Sequence, residues 1–423
     1  MSAYRRLLRS FHRDVRLFLF AAALQGFSIS GVRKVLFNLY LLRLGYGPEF
    51  VGLANAVGWL AVAGFSVVAG AIGARWGNRR ALLAGMVLMS GGTGLLPLAE
   101  SVSIAWQVIW VLACTVLAYL GVALYFVNSL TFLMGVTGPR ERGQAYATQV
   151  ALETLAGFAG SLIGGALPAV FAAVLKVSTQ DPAPYRYPQF LAAVLLIPGV
   201  LGLSKACDHH TTPLQERMTA TGQAPYGLIL VLTIAVMLRL AGRSAVDVFF
   251  NIYLDTQLGA STSVIGALSA AALLLSAPVA LAATPLVARW GKIRTITVAS
   301  LAMALSILPL ALFPHLIAAG AGFIGLSVCF VVMAGPMRMY TQEIVAPVWR
   351  GAMSGVLMTG VGLTNAAMAL GGGYAIATAG FRGMFLLGAA LTVVGALLFW
   401  AYFRVPRGEA KKDAPAKVAP DHV

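Results

Sequence analysis

Acidic residues are scarce. Only 14 Asp and Glu stand in 423 residues, and the four charged types together make up 10% of the chain. A soluble domain carries about 25%, so this sequence cannot clothe itself in a water-facing surface, and an ordinary cytosolic enzyme is excluded. Disorder goes with it, because disordered chains are highly charged and poor in apolar residues. Cysteine is rarer still: Cys114, Cys207 and Cys329 lie far apart, which excludes a disulfide-stapled secreted fold. No G-x-x-x-x-G-K-[ST] occurs, so there is no phosphate-cradling loop for ATP hydrolysis by that route. H-E-x-x-H, G-x-S-x-G and C-x-x-C are also missing. Cys207-Asp208-His209-His210 is a single close-spaced group without a second cluster, so neither a metal nor a cofactor is expected.

What is abundant is apolar: 59% of residues are hydrophobic and mean hydropathy is +0.84. The few charges are lopsided, with 30 Lys and Arg giving a formal net charge of +16. Basic excess by itself points to a polyanion such as nucleic acid; where the charges sit decides. Long stretches lack any charge, among them 50–74, 101–139, 154–175, 256–288, 295–337, 351–381 and 383–403. A membrane-crossing helix needs about 20 mostly apolar residues. Twelve spans follow, at about 17–44, 49–73, 81–99, 103–136, 144–172, 187–206, 226–257, 261–287, 295–313, 317–343, 352–379 and 383–404. The 295–337 stretch divides at Phe313-Pro314-His315, where proline interrupts the helical pattern. Arginines 5, 6, 9, 13 and 16 precede an apolar run that continues through Leu41. That is too long for a secretory signal, so the run reads as an uncleaved first span.

An even span count puts both termini on one side. Arg75, Arg79, Arg80, Arg140, Arg142, Lys205, Arg217, Arg289, Lys292, Arg294, Arg350 and the basic tail fall on that side with the N-terminal arginines. The opposite side holds only Arg43, Lys176, Arg186 and Arg382. By the positive-inside rule both termini are cytoplasmic, in an inner or plasma membrane. Most of the basic excess is thus an orientation signal, and no nucleic-acid partner is expected.

The chain also repeats itself. Ala74-Arg75-Trp76-Gly77-Asn78-Arg79-Arg80 returns as Ala288-Arg289-Trp290-Gly291-Lys292-Ile293-Arg294, and Phe37-Asn38-Leu39-Tyr40-Leu41 returns 213 residues later as Phe250-Asn251-Ile252-Tyr253-Leu254. Pro139-Arg140-Glu141-Arg142-Gly143 is echoed by Pro347-Val348-Trp349-Arg350-Gly351. Three collinear matches at equivalent places define two six-helix halves of the same orientation. The organisation is a basic segment 1–16, a bundle 17–206, a linker 207–225, a bundle 226–404 and a tail 405–423.

The loop between spans 2 and 3 resembles the signature of the major facilitator superfamily, G-x-L-x-D-R-x-G-R-R. Gly70, Ile72, Arg75, Gly77 and Arg79 fit it, with Arg80 just beyond; Ala74 replaces the acidic residue and Asn78 the first basic one. The second copy keeps Leu286, Arg289, Gly291 and Lys292, with Arg294 beyond. The resemblance extends over nearly the whole chain through the 6+6 layout. It implies an all-α membrane fold of two pseudo-symmetric bundles around a cavity opened alternately to each side. Gly77 and Gly291 suit tight turns, and Arg75 and Arg289 are expected to latch a neighbouring helix end, with Glu141 and Glu343 as partners. Gly157, Gly160, Gly164 and Gly165 resemble the family's antiporter motif with Ser161 in place of its proline; plain packing of small residues explains them as well.

Charges inside spans cost about 2.5–3.5 kcal/mol each on insertion scales, so they should pair or face the interior. On span 7, Arg239, Arg243, Asp247 and Asn251 recur every four residues, and Ser30, Lys34 and Asn38 repeat the pattern on span 1. The repeat sets Lys34 against Asp247, opposite charges at equivalent positions. The expectation is a pair near the outer end of the cavity, against the alternative that both snorkel to the interface. Arg33, about 100° around the helix from Lys34, is expected to leave one of the two pointing elsewhere. Glu153 on span 5 is a candidate proton carrier, a binder of a cationic group, or a partner for Arg338 of span 10. Arg338 and Asn128 are expected to line the cavity.

The function expected is secondary active transport of a small solute, coupled to protons. Five basic residues against two acids within the spans favour an anionic or zwitterionic substrate. Proton-driven efflux of amphipathic compounds is the rival within the class. An enzyme or a non-transporting sensor is the rival outside it. Partners are the solute, the bilayer and protons, and the protein is expected to be a monomer.

Overall fold

The computed structural model describes residues 11–138, 141–207, 226–346 and 349–405, with backbone alone at 280–282, 284, 351 and 352. The N-terminal arginines 5, 6 and 9, most of the linker, nearly all of the tail, the third repeat pair's Pro139-Arg140 and Pro347-Val348, and the Asp208-His209-His210 group lie outside the described residues.

Every regular element among the described residues is helical. We number them α1 (Arg13–Arg43), α2 (Pro48–Trp76), α3 (Asn78–Leu95, extended by a 3-10 turn over Leu96–Ser101), α4 (Ile104–Val136), α5 (Arg142–Leu175) and α6 (Ala183–Leu203) in the first half. The second half holds α7 (Tyr226–Thr256), α8 (Thr262–Trp290), α9 (Lys292–Leu312) and α10 (Leu316–Glu343), followed by one continuous run, Arg350–Phe403. Gly380 breaks that run with φ 68° and ψ 177°, dividing it into α11 and α12. The twelve expected spans are therefore present, each longer or shorter by a few residues.

The surface is inverted relative to a soluble protein. Ile104, Ile317 and Val67 are 87%, 81% and 71% exposed, while Arg239, Asn128 and Asn38 are buried. Such a surface is stable only against lipid, and each run is long and apolar enough to cross a membrane. The turns between helices are short. Gly77 (φ 92°) and Gly291 (φ 78°) are the pivots of the two repeated loops, a left-handed conformation open to glycine and costly for other residues. Elsewhere Ser261 and His315 cap α8 and α10 by accepting from the amides of Val264 and Ala318.

The first helix is not uniform. Gly26–Arg33 is π-helical between two α-helical stretches, a wider turn that often marks functional sites. The halves meet along α2 with α11 and α5 with α8. Between α5 and α8 the backbones touch at Gly165 and Gly266, where a Cβ on Gly165 would lie 2.7 Å from the Gly266 Cα. These contacts concentrate on the side away from the chain termini. There Arg43 at the end of α1 binds Asp255 at the end of α7 through both terminal nitrogens, at 2.8 and 2.6 Å.

Candidate functional site

A central cavity lies between the halves as two adjoining lobes of about 550 and 330 Å³ that share part of their walls. Both lobes are bordered by Ser30, Lys34, Arg243, Asp247 and Phe330. The larger extends toward the terminal side as far as Tyr146 and is walled mostly by apolar side chains, among them Val150, Leu273, Phe323 and Val331. The smaller is aromatic and polar, with Phe37, Trp59, Tyr119, Asn55, Asn365 and Arg33.

At the junction of the lobes sits a three-residue cluster. Asp247 accepts from Lys34 Nζ at 3.3 Å across the halves and from Arg243 Nε at 2.7 Å along its own helix. Arg243 also lies 4.5 Å over the Phe330 ring. Lys34 and Asp247 keep 48% and 29% of their side chains accessible, so the pair borders the cavity rather than sealing it. The seal is one step farther from the termini. Asn38 Nδ2 donates to the Val248 carbonyl at 2.7 Å, and Asn251 Nδ2 donates to the carbonyls of Lys34 and Val35 at 3.1 and 3.2 Å. Beyond them the Arg43–Asp255 pair is almost fully enclosed, at 8% and 11% exposure. Arg43, read from sequence as a loop cation, is thus a buried interdomain tie. On the terminal side, Arg338 Nη1 donates to the Tyr146 hydroxyl at 3.0 Å across the mouth of the larger lobe. The cavity is closed on one side and approached from the other.

Several expectations are corrected by these positions. Asn128 does not line the cavity: it is buried, donates to the carbonyls of Ala69 and Leu124, and clasps α4 to α2. Glu153 does not pair with Arg338. It accepts from Tyr125 and Gln149 inside the first half and borders neither lobe. Arg75 and Arg289 form no ion pair among the described residues. The helix-end latch is Arg79, which donates to the carbonyls of Ser204 and Ala206 at 2.8 Å at the end of α6. In the second copy, Glu343 pairs with Lys292; Arg80 of the first copy and Arg294 of the second are exposed. Gly70 sits on α2 with room beside it, the nearest side-chain atom to an added Cβ being 3.7 Å away.

Arg239 also leaves the stripe. Steps of four residues drift about 40° around a helix, so by Arg239 the row has turned away from the cavity, and its guanidinium lies 5.1 Å over the Phe399 ring. Arg33 and Lys34, by contrast, both border the smaller lobe, because the lobe covers two adjacent rows of α1: Ile29, Arg33 and Phe37, and Ser30, Lys34 and Asn38. Asn55, Trp59, Tyr119 and Asn365 carried no sequence signal, being ordinary residues of uncharged spans.

The sequence model of the Major Facilitator Superfamily matches residues 14–227 and 232–423. The chain belongs to the Major Facilitator Superfamily. Over 378 residues it is 25% identical to the multidrug resistance protein MdtH of Yersinia enterocolitica serotype O:8, covering 85% of this chain and 87% of that protein. Its fold is similar to that of a D-xylose-proton symporter (TM-score 0.72, 16% identity, 94% of this chain and 98% of that one). It is also similar to that of the nucleoside transporter NupG (TM-score 0.71, 14% identity, 93% and 100%). The protein is a multi-pass membrane protein and a secondary transporter of a small solute, not an enzyme.

Proposed function

We propose that this superfamily member carries a small anionic or zwitterionic organic solute by alternating access, coupled to protons, as a monomer in the cell membrane with both termini in the cytoplasm. The observation that supports the substrate class is the charge of the wall. Arg33, Lys34 and Arg243 border the lobes, and Asp247 is the single acid among the described lining residues. Two cationic charges are left over in a low-dielectric space, where an anion gains most from meeting them. The orientation rests on the positive-inside bias; with it, the open mouth at Tyr146 faces the cytoplasm. Glu153 is the proton site in this reading. It has no cationic partner among the described residues and is held by two neutral donors, Tyr125 and Gln149.

The apolar wall of the larger lobe and the likeness to a multidrug resistance protein support a second reading, efflux of amphipathic compounds. Both readings are tested with purified protein in liposomes containing a pH-sensitive dye. Organic anions are expected to drive proton flux in the wild type, and Glu153→Gln is expected to abolish that flux while leaving solute exchange intact. Flux driven by cationic amphiphiles and not by anions would replace the first reading with the second.

A further inference from the structure

We infer that Arg33 is the anchor of a carboxylate subsite in the smaller lobe, and that the solute it takes is an amphipathic aromatic carboxylate. This rests on the reading of the cavity as the transport pathway and names the chemistry of its inner end.

Arg33 is 6% exposed, yet no carboxylate among the described residues pairs with it, and its Nε has no hydrogen-bond partner. A buried charge without a counter-ion is expensive, and Arg33, unlike the equally unpaired Arg239, borders a cavity that an anion can enter. The guanidinium carbon lies over two rings, 4.6 Å from the Phe37 centroid and 5.3 Å from that of Tyr119. Nε is enclosed, so the terminal nitrogens of the fork are the donors left to meet a carboxylate in the lobe. Arg243 borders the same lobe and adds a second positive charge to its wall. Trp59 packs edge-on against Tyr119 with centroids 5.6 Å apart and offers an aromatic wall to the body of the solute. The larger lobe, adjoining at Lys34 and Asp247, receives the apolar remainder. Its wall has no further cation among the described residues, so a second negative charge would find no partner there. A monoanion with a planar apolar body fits both lobes.

The test uses the full-length protein in phosphatidylcholine nanodiscs, free of anionic lipid that would compete for the lobe, and equilibrium dialysis of two probes. Naphthalene-2-carboxylate and 2-naphthamide share ring and size and differ in charge. The wild type is expected to bind the carboxylate at least about tenfold more tightly than the amide, a difference of about 1.4 kcal/mol. Arg33→Gln should reduce that ratio to within about threefold while amide binding is kept, and Arg33→Lys should retain part of it. Asn365→Asp, which puts a carboxylate into the same lobe without touching Arg33, should also erase the preference, and it decides the matter if Arg33→Gln does not fold. Equal binding of the two probes to the wild type, or a preference that survives in these variants, overturns the assignment. Counterflow of the carboxylate in liposomes reads the transport pathway separately: binding without movement would retire that pathway and leave the Arg33 subsite standing.

Discussion

Asn38 and Asn251 occupy equivalent places in the two halves and act in the same way on each other's helix. Asn38 donates to the Val248 carbonyl and Asn251 to that of Val35, and Val35 and Val248 are themselves separated by the same 213 positions as the two asparagines. The result is a pseudo-twofold clasp between α1 and α7 at the closed end of the cavity. Asn38 carries an extra duty, because Asn55 Nδ2 donates to its Oδ1 at 2.9 Å.

Removing either amide should loosen the closed side. Asn251→Ala is expected to weaken closure by about 0.5–1.5 kcal/mol, the usual net value of a hydrogen bond, and Asn38→Ala by more, since its interdomain bond is the shorter one, 2.7 Å against 3.1 and 3.2 Å, and the bond from Asn55 is lost with it. Hydrogen exchange at the far ends of α1 and α7 should quicken in that order. Unchanged exchange in both variants would show that the clasp does not hold the helices.

Arg43 and Asp255 make the stronger tie. Both side chains are mostly enclosed, so Asp255→Asn leaves the Arg43 guanidinium with neutral acceptors alone, the Thr179 carbonyl among them, at a cost of up to about 3–5 kcal/mol. Transport by Arg43→Asp and Asp255→Arg singly should fall steeply, and the double reversal should recover a large part of it. Single effects that simply add in the double variant would mean that the two residues do not act as a pair.

Lys34, Arg243 and Asp247 behave differently because the cluster is partly open to the cavity. Reversing Lys34 or Asp247 alone should abolish transport. Combining Lys34→Asp with Asp247→Lys should restore only a fraction, because the new lysine stands beside Arg243 at helical i,i+4 spacing, a like-charge contact. Absence of any recovery would count against exchange between solute and ion pair at this point. Asp247→Asn, which leaves three cations unopposed, is expected to bind an anion more tightly and release it more slowly.

The repeated loops predict a ranking among arginines. Arg79 holds two carbonyls at the end of α6, and charged hydrogen bonds are worth about 1.5–3 kcal/mol each. Arg79→Ala should lower the melting temperature of the detergent-solubilised protein clearly, Arg75→Ala and Arg80→Ala hardly at all. Glu343→Gln breaks only a solvent-facing pair, with a cost under about 1 kcal/mol. A uniform drop across the four variants would refute the ranking.

Glycines on α5 separate by the same logic. A Cβ on Gly165 meets Gly266 Cα at 2.7 Å and the Thr262 carbonyl at 2.8 Å, whereas on Gly157 its nearest neighbour is 3.5 Å away. Gly165→Ala should hold α5 and α8 apart and reduce transport about tenfold or more, an effect that needs only about 1.4 kcal/mol; Gly157→Ala should be nearly silent. Equal activity of the two variants in counterflow would show that this contact does not limit closure.

Composition alone made lipid the only solvent in which these surfaces are stable, and helical length in that solvent set the spans. The repeat then aligned Lys34 with Asp247 and Asn38 with Asn251, because a duplicated bundle of even span number keeps equivalent residues at equivalent depth. Which way those side chains point was decided elsewhere. Asn128 looked like a cavity residue until helix packing turned it toward Ala69, and Glu153 was turned toward Tyr125. Arg43 looked like a loop charge until α7 delivered Asp255, 212 positions away. Arg33 shares its surroundings with Phe37, one turn on, but its isolation from any carboxylate exists only in three dimensions. Depth in the membrane is a property of sequence order, while azimuth around each helix depends on neighbours that only the assembled bundle supplies.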